Sequence, residues 1–245
     1  MHRFYLDSSA VKNNAVYFPS DTSLQIKRVL RLRKGDEVVV FSEDGVDYRV
    51  LLEVVDTKAS IGSVISTINS LEEPEIFITL YQALLRPERY EYALQKGVEV
   101  GISKFVPFTC ERTEFSDPGD SKIIRWKRII KEASEQSGRS FIPQLSRTVD
   151  FSDLIMNLGP VALIPWEDEK KESIRDILSN LHENQSMKGS SVDIVIGPAG
   201  GFTSQEVLNA VEHGAISVSL GGRILRAETA GIVAAVAVLY EFDHM

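Results

Sequence analysis

Val192-Asp193-Ile194-Val195-Ile196 runs directly into Gly197-Pro198-Ala199-Gly200-Gly201-Phe202, and then into Thr203-Ser204-Gln205-Glu206. An apolar run of strand length, closed by a glycine-rich turn and followed by a helix start, reads as one strand–loop–helix unit of an α/β sheet. Thr203 and Glu206 stand three apart, as in a capping box, which marks where the helix begins. Glycines let backbone amides approach a ligand closely, and the carboxyl end of a parallel strand is where such sheets bind one. The loop is neither a G-x-G-x-x-G dinucleotide fingerprint nor a P-loop ending in Gly-Lys-Ser/Thr. Taken alone it suits a ligand cradle or a plain turn.

Downstream, Leu220-Gly221-Gly222-Arg223-Ile224-Leu225-Arg226-Ala227-Glu228-Thr229-Ala230 repeats the theme of strand end, glycine pair and helix start. Two such strand ends make two walls of one pocket. Residues 230–240 are almost wholly apolar, too short to span a bilayer and too apolar for an exposed helix, so they belong in the core or a subunit interface. Upstream, strands are predicted over 76–84, 104–108 and 161–165, and a further one over 216–220. Amphipathic helices between them make this an α/β domain with a mainly parallel sheet. One helix, 125–139, carries Trp126, Ile129, Ile130 and Ala133 at helical spacing. Gln136 extends the stripe and is expected to point inward as the helix ends at Gly138.

The opening third has a different rhythm. Short β-rich runs at 4–6, 37–41, 48–52 and 62–65, with turn signals such as Glu43-Asp44-Gly45, read as a small β-barrel. Within it, residues 23–32 alternate Leu24, Ile26, Val29, Leu30 and Leu32 with Lys27, Arg28 and Arg31, and Arg33 and Lys34 follow. This basic turn is either a solvated face or a phosphate contact. Residues 70–74 look like a connector, giving domains 1–73 and 74–245.

Composition narrows the function. A chain of 245 residues with 43% hydrophobic and 25% charged residues folds into a globular protein. Residues 1–70 balance nine Lys/Arg against nine Asp/Glu, so the whole net charge of −8 falls on the remainder. Any contact with nucleic acid must therefore use local basic patches, chiefly 27–34 and 122–131. A single cysteine, Cys110, and four scattered histidines give no metal-ligand spacing, so no metal cofactor is expected. No apolar run approaches membrane length and the N-terminus is polar, which predicts a cytoplasmic protein.

Together these segments resemble the ribosomal RNA small subunit methyltransferase E family, uridine-N3 methyltransferases of the SPOUT class. The residues that carry the resemblance are Met1 to Tyr5, Arg28 to Asp36, Leu94-Gln95-Lys96 with Glu99 and Gly101, Glu111-Arg112, Glu132 to Arg139, Ile196-Gly197-Pro198, and Leu220 to Ala230. Their order and spacing are more specific than any one of them. The resemblance implies a PUA-like N-terminal RNA-binding β-barrel and an α/β domain whose C-terminal segment threads a trefoil knot. It also implies an S-adenosylmethionine cofactor, a homodimer, and ribosomal RNA, in a small-subunit particle, as partner.

It places cofactor contacts at Pro165, Ile196, Gly197, Pro198, Gly200, Gly201, Leu220, Gly221, Ile224, Leu225, Thr229 and Ala230. RNA contacts fall at Arg3, Arg28, Arg31, Arg33, Lys34, Arg112 and Gln136, and catalytic roles at Arg226, Glu228 and Arg139. Glu228 is a candidate proton acceptor, or a residue that merely pairs and caps. Two departures stand out. Ala199 replaces a Glu usual in the family, and Arg86-Pro87-Glu88 replaces a Lys-Gly-Asp-like turn. Loss of that carboxylate leaves an RNA-binding protein without turnover, or action on another RNA, as the rival readings.

Overall fold

The computed structural model describes residues 1–42, 45–68, 73–115, 118–184 and 190–244. The turn at Glu43-Asp44 and most of the 70–74 connector lie outside the described residues. The chain divides into two units, one of Met1–Glu73 with Ser134–Ile142, the other of Pro74–Ala133 with Pro143–Met245.

The first unit contains β1 (His2–Tyr5), β2 (Val11–Lys12), β3 (Ala15–Phe18), α1 (Ser20–Leu24), β4 (Glu37–Phe41), β5 (Asp47–Val54) and β6 (Ser60–Ile68). Its six-stranded sheet has the order β1-β4-β5-β6-β3-β2, with β1 parallel to β4 and the other pairs antiparallel. Phe4, Leu6, Val16, Phe18, Ile26, Val38, Val40, Val50 and Leu52 form its core. The basic segment departs from a plain helix. After α1 the chain makes a π-helical turn over Gln25–Val29, and Arg31 takes a left-handed φ of 56°. The wider turn rotates the apolar stripe, so Ile26 is buried while Leu24 and Val29 face solvent.

Segment 134–142, read from the sequence as part of the second domain, belongs to this first unit. Charge ties it there. Arg139 donates to Glu73 Oε2 from both Nε, at 3.1 Å, and Nη2, at 2.9 Å, and the Ser140 N–H reaches Glu73 Oε1 at 2.8 Å. Arg3 donates to Asp47 at 2.6 Å and to the Arg139 carbonyl at 3.1 Å. Burial pulls the Arg139 guanidinium below its ordinary value, and Glu73 opposes that.

The second unit holds β7 (Phe77–Ala83), α2 (Pro87–Val100), β8 (Lys104–Thr109), α3 (Asp120–Ser137, with its last turn in the first unit), β9 (Gln144–Leu145), β10 (Val149–Asp150) and α4 (Phe151–Ile155). It continues with β11 (Ala162–Pro165), α5 (Ile174–Asn184), β12 (Ser191–Ile196), α6 (Ser204–Glu212), β13 (Ala215–Val218) and α7 (Ala227–Glu241). The strands run in the order β10-β8-β7-β12-β11-β13, all parallel, with β9 also parallel on β8. Helices against a parallel sheet bury both its faces, which is why β12 from Val192 onward is apolar apart from Asp193. That carboxylate accepts the Gly159 N–H at 2.7 Å, and burial raises its pKa.

Helix α3 buries Trp126, Ile130, Ala133 and Ser134, and Trp126 stacks on Tyr90 of α2 with ring centroids 4.2 Å apart. Gln136 is exposed, contrary to the inward orientation expected of it. At 3.6 residues per turn the buried stripe passes from 133 and 134 toward 137, and residue 136 rotates outward.

The buried Arg139–Glu73 pair predicts that Arg139→Ala destabilises the protein by about 3 kcal/mol, since it strands a carboxylate. Urea unfolding followed by circular dichroism measures this, and a change below about 0.5 kcal/mol would remove the pair from the stabilising contacts.

Candidate functional site: a cavity at three parallel strand ends

Strand order builds the site. Because β11 lies between β12 and β13, the carboxyl ends of all three emerge side by side. The chain after β12 is the glycine-rich loop 197–202, after β11 it is Trp166-Glu167, and after β13 it is the second glycine-rich loop 219–226. They enclose a cavity of about 580 Å³, a volume suited to a nucleoside-sized ligand.

Each wall is held from behind. Phe202, buried, packs on Phe151 at 5.5 Å and on Phe108 at 6.3 Å, pinning the end of the first loop to the core. A Cβ at Gly197 would come within 3.0 Å of the Phe202 ring. Gly201 has φ 68°, a backbone conformation that favours glycine, and a Cβ there would displace the exposed Glu167 carboxylate. Glu206 carries the capping box: its carboxylate accepts the Thr203 N–H at 2.8 Å, and the Thr203 hydroxyl receives the Glu206 N–H at 3.2 Å. The same carboxylate accepts the Glu111 N–H at 2.9 Å, and Arg112 donates to the carbonyls of Gly200 at 2.9 Å and Phe202 at 3.3 Å. The segment after β8 thus clamps the loop after β12.

Ten of the twelve expected cofactor residues line the cavity: Pro165, Ile196, Gly197, Pro198, Gly201, Leu220, Gly221, Ile224, Leu225 and Ala230. Gly200 and Thr229 do not. Gly200 is exposed, and a Cβ there would only touch the Arg112 side chain, at 3.5 Å. The Thr229 N–H bonds the Arg226 carbonyl at 2.8 Å in the first turn of α7. Ala199 lines the cavity, as do residues the sequence did not single out for this role: Arg89, Trp166, Glu167, Glu169, Lys170 and Ser219. Arg89 carried one legible signal, a cation in the first turn of a helix, where the helix dipole disfavours it.

Of the expected catalytic residues, Arg226 lines the cavity and Glu228 sits beside it, while Arg139 belongs to the other unit and is engaged by Glu73. Glu228 Oε1 lies 3.6 Å from Arg89 Nε and 4.0 Å from Arg226 Nη1, and its buried Oε2 has no hydrogen-bond partner. Among the expected RNA contacts, Arg28, Arg31, Arg33 and Lys34 are exposed and make no ion pair among the described residues. Lys27 pairs loosely with Asp56 at 3.4 Å. Arg3 is committed to Asp47, and Arg112 to the loop carbonyls. In the 122–131 patch, Arg125 pairs with Glu91 and Arg128 with Glu132, so much of its charge is answered locally.

The fold and this site define an RNA methyltransferase: the RNA methyltransferase domain family matches residues 72–239. A Bacillus subtilis protein named ribosomal RNA small subunit methyltransferase E is 32% identical over 223 residues, covering 89% of this chain and 87% of the relative. A relative of the same name from Rickettsia conorii is 30% identical, covering 95% and 93%. The crystal structure of a ribosomal RNA small subunit methyltransferase E from Neisseria gonorrhoeae bound to S-adenosyl methionine superposes with a TM-score of 0.84. It is 26% identical, and the match covers 98% of this chain and 97% of that one. The chain belongs to the ribosomal RNA small subunit methyltransferase E family.

Cys110, beside this clamp, is no nucleophile at neutral pH. Burial pushes its thiol up to about 11, against a lowering contact from Thr113. Iodoacetamide labelling of the native protein is expected to be slow at pH 8 and to rise about tenfold per pH unit toward 10. Rapid labelling at pH 7 would contradict a raised thiol pKa.

Proposed function

We propose that this protein transfers a methyl group from S-adenosylmethionine to N3 of a uridine in small-subunit ribosomal RNA, acting in the cytoplasm. The observation that carries the reading is the cavity at the ends of β11, β12 and β13, lined by both glycine-rich loops. Gly197, Gly201, Leu220, Gly221, Ile224 and Leu225 are assigned to hold the cofactor, with Pro165 beside its adenosine. Ala199 is compatible with this, because the amides of the loop remain whatever side chain stands there. The bound cofactor supplies a sulfonium-activated methyl group.

The protein's own part is orientation and proton handling. Uracil N3 bears a proton in the neutral base, so it must be deprotonated before it is nucleophilic. Glu228 is assigned as the acceptor and Arg226 as a cation that stabilises the resulting negative charge. Arg139, held by Glu73, is assigned to the integrity of the first unit.

The first unit is read as a PUA-like RNA-binding module, supported by the exposed cations Arg28, Arg31, Arg33 and Lys34, which make no ion pair among the described residues. The C-terminal segment is read as knotted, supported by the entry of β12 between β7 and β11, both earlier in the chain. A homodimer is supported by α7, an apolar helix that leaves Val233 and Tyr240 exposed.

Calorimetric titration with S-adenosylmethionine tests the pocket. Gly201→Val is expected to weaken binding by roughly tenfold or more, through backbone strain and collision with Glu167, while Gly200→Ala stays within about threefold of wild type. Failure of the wild type to bind would remove the methyltransferase reading. Replacing Arg28, Arg31 and Arg33 together with Ala should weaken binding to small-subunit RNA and lower its log–log salt slope by about two, with cofactor affinity unchanged. An unaltered slope would clear the basic turn of that role.

A further inference from the structure

Arg89 and Arg226 both line the cavity, from the first turn of α2 and the start of α7, and beside it Glu228 Oε1 lies 3.6 Å from Arg89 Nε and 4.0 Å from Arg226 Nη1. Neither distance is a hydrogen bond. The Glu228 side chain is only 10% exposed, and its Oε2 has no hydrogen-bond partner among the described residues. A buried carboxylate flanked by two guanidiniums ordinarily closes bidentate bonds with one of them. Here the three groups stand apart, with a cation kept at the helix end that disfavours it. The carboxylate and the two guanidiniums keep hydrogen-bonding capacity that they do not spend on one another.

We propose that Arg89, Glu228 and Arg226 form the socket that reads the edge of the target base, presenting donor, acceptor and donor in that order. The inference rests on the reading of the protein as a uridine methyltransferase and deepens it. Uracil offers the complement: carbonyl O2, the N3 proton and carbonyl O4, or acceptor, donor, acceptor. Cytosine does not. Its N3 would set a lone pair against the carboxylate, and its amino group would face a guanidinium, so two of three contacts become repulsive.

The same array serves the chemistry. Glu228 takes the N3 proton and swings off the axis of the former N–H bond, and the electron pair left on N3 then forms the bond to the cofactor's methyl carbon as the C–S pair passes to sulfur. Glu228 then returns the proton to water. The charge that develops on O2 and O4 faces the two guanidiniums, which need not reorganise to meet it. Arg89 is thereby assigned a direct contact with the base.

Two measurements on the full-length protein test this, with Glu228→Gln, Arg89→Met and Arg89→Lys, and S-adenosylmethionine affinity as the control for an intact pocket. In the first, fluorescence anisotropy compares short oligouridylate with oligocytidylate on protein saturated with S-adenosylhomocysteine. The wild type should favour oligouridylate by about tenfold, and Glu228→Gln and Arg89→Met should erase most of that preference. In the second, single-turnover transfer to small-subunit RNA is followed from pH 6 to 10. Glu228→Gln should slow transfer by roughly 100-fold at pH 7 and leave a rate that rises with pH as hydroxide replaces the carboxylate. Arg89→Met should slow it by about tenfold or more, with partial recovery in Arg89→Lys.

Transfer to uracil N3 that survives both substitutions at the wild-type rate and pH profile would overturn this inference alone, as would equal wild-type affinity for the two oligomers. Transfer to a base other than uracil would overturn the uridine reading and this inference with it.

Discussion

The parallel pairing of β11 with β12 on one edge and β13 on the other is the contact on which the site depends. Ala162 and Leu163 pair with Asp193 and Ile194 on one side, and residues 162–165 pair with 215–218 on the other. Had β11 sat at an edge, the two glycine-rich loops would be neighbours, with no Pro165-Trp166 between them. Because it sits between, each loop is one flank and the β11 end the middle of a three-walled cavity. The chain must leave the sheet after each strand and return through a helix, which covers both faces and excludes water from the strands.

Placing the loops is not the same as holding them still. A ligand cradle made of backbone loses affinity if the backbone must be ordered on binding. The first loop is immobilised at three points of different chemistry. Phe202 is packed in the aromatic cluster, Arg112 takes the loop carbonyls, and Glu206 accepts three donors that span the helix cap and the chain after β8. The buried charge of Glu206 is acceptable because its partners are N–H and hydroxyl donors in fixed positions. Arg112, expected to contact RNA, is a structural clamp, and its guanidinium stiffens the loop that the strand order positions.

Much of this was legible in the sequence, and what was not follows a pattern. Strand ends were readable, because a buried parallel strand is a mostly apolar run and glycine marks the loop that follows; hence Gly197, Gly201, Leu220 and Gly221 were named, and they line the cavity. Helix α3 was readable from its stripe, but Gln136 was misdirected by extending spacing past the point where the helix period carries it outward. Arg139 was given a catalytic role by resemblance, and nothing in the sequence pointed to Glu73, which becomes its partner only when segment 134–142 joins the first unit. Arg89 and Trp166 were missed for the same reason. Their place in the cavity is set by which strands neighbour which, a tertiary fact that periodicity does not contain.

Charge shows the difference most clearly. The segment after residue 70 carries the whole net charge of −8, and by that average it repels nucleic acid. Yet the charged side chains on the cavity wall are Arg89, Lys170, Arg223 and Arg226 against Glu167 and Glu169. Salt screens exposed charges beyond about 8 Å, so the field met by an anionic group entering the cavity is set by these few side chains. The acidic surplus lies elsewhere on the unit, where it serves solubility and discourages indiscriminate contact with RNA backbone. An acidic domain with a locally basic cavity favours an anionic group at that cavity over the rest of its surface. That division of charge suits an enzyme that must act on one base and then let go.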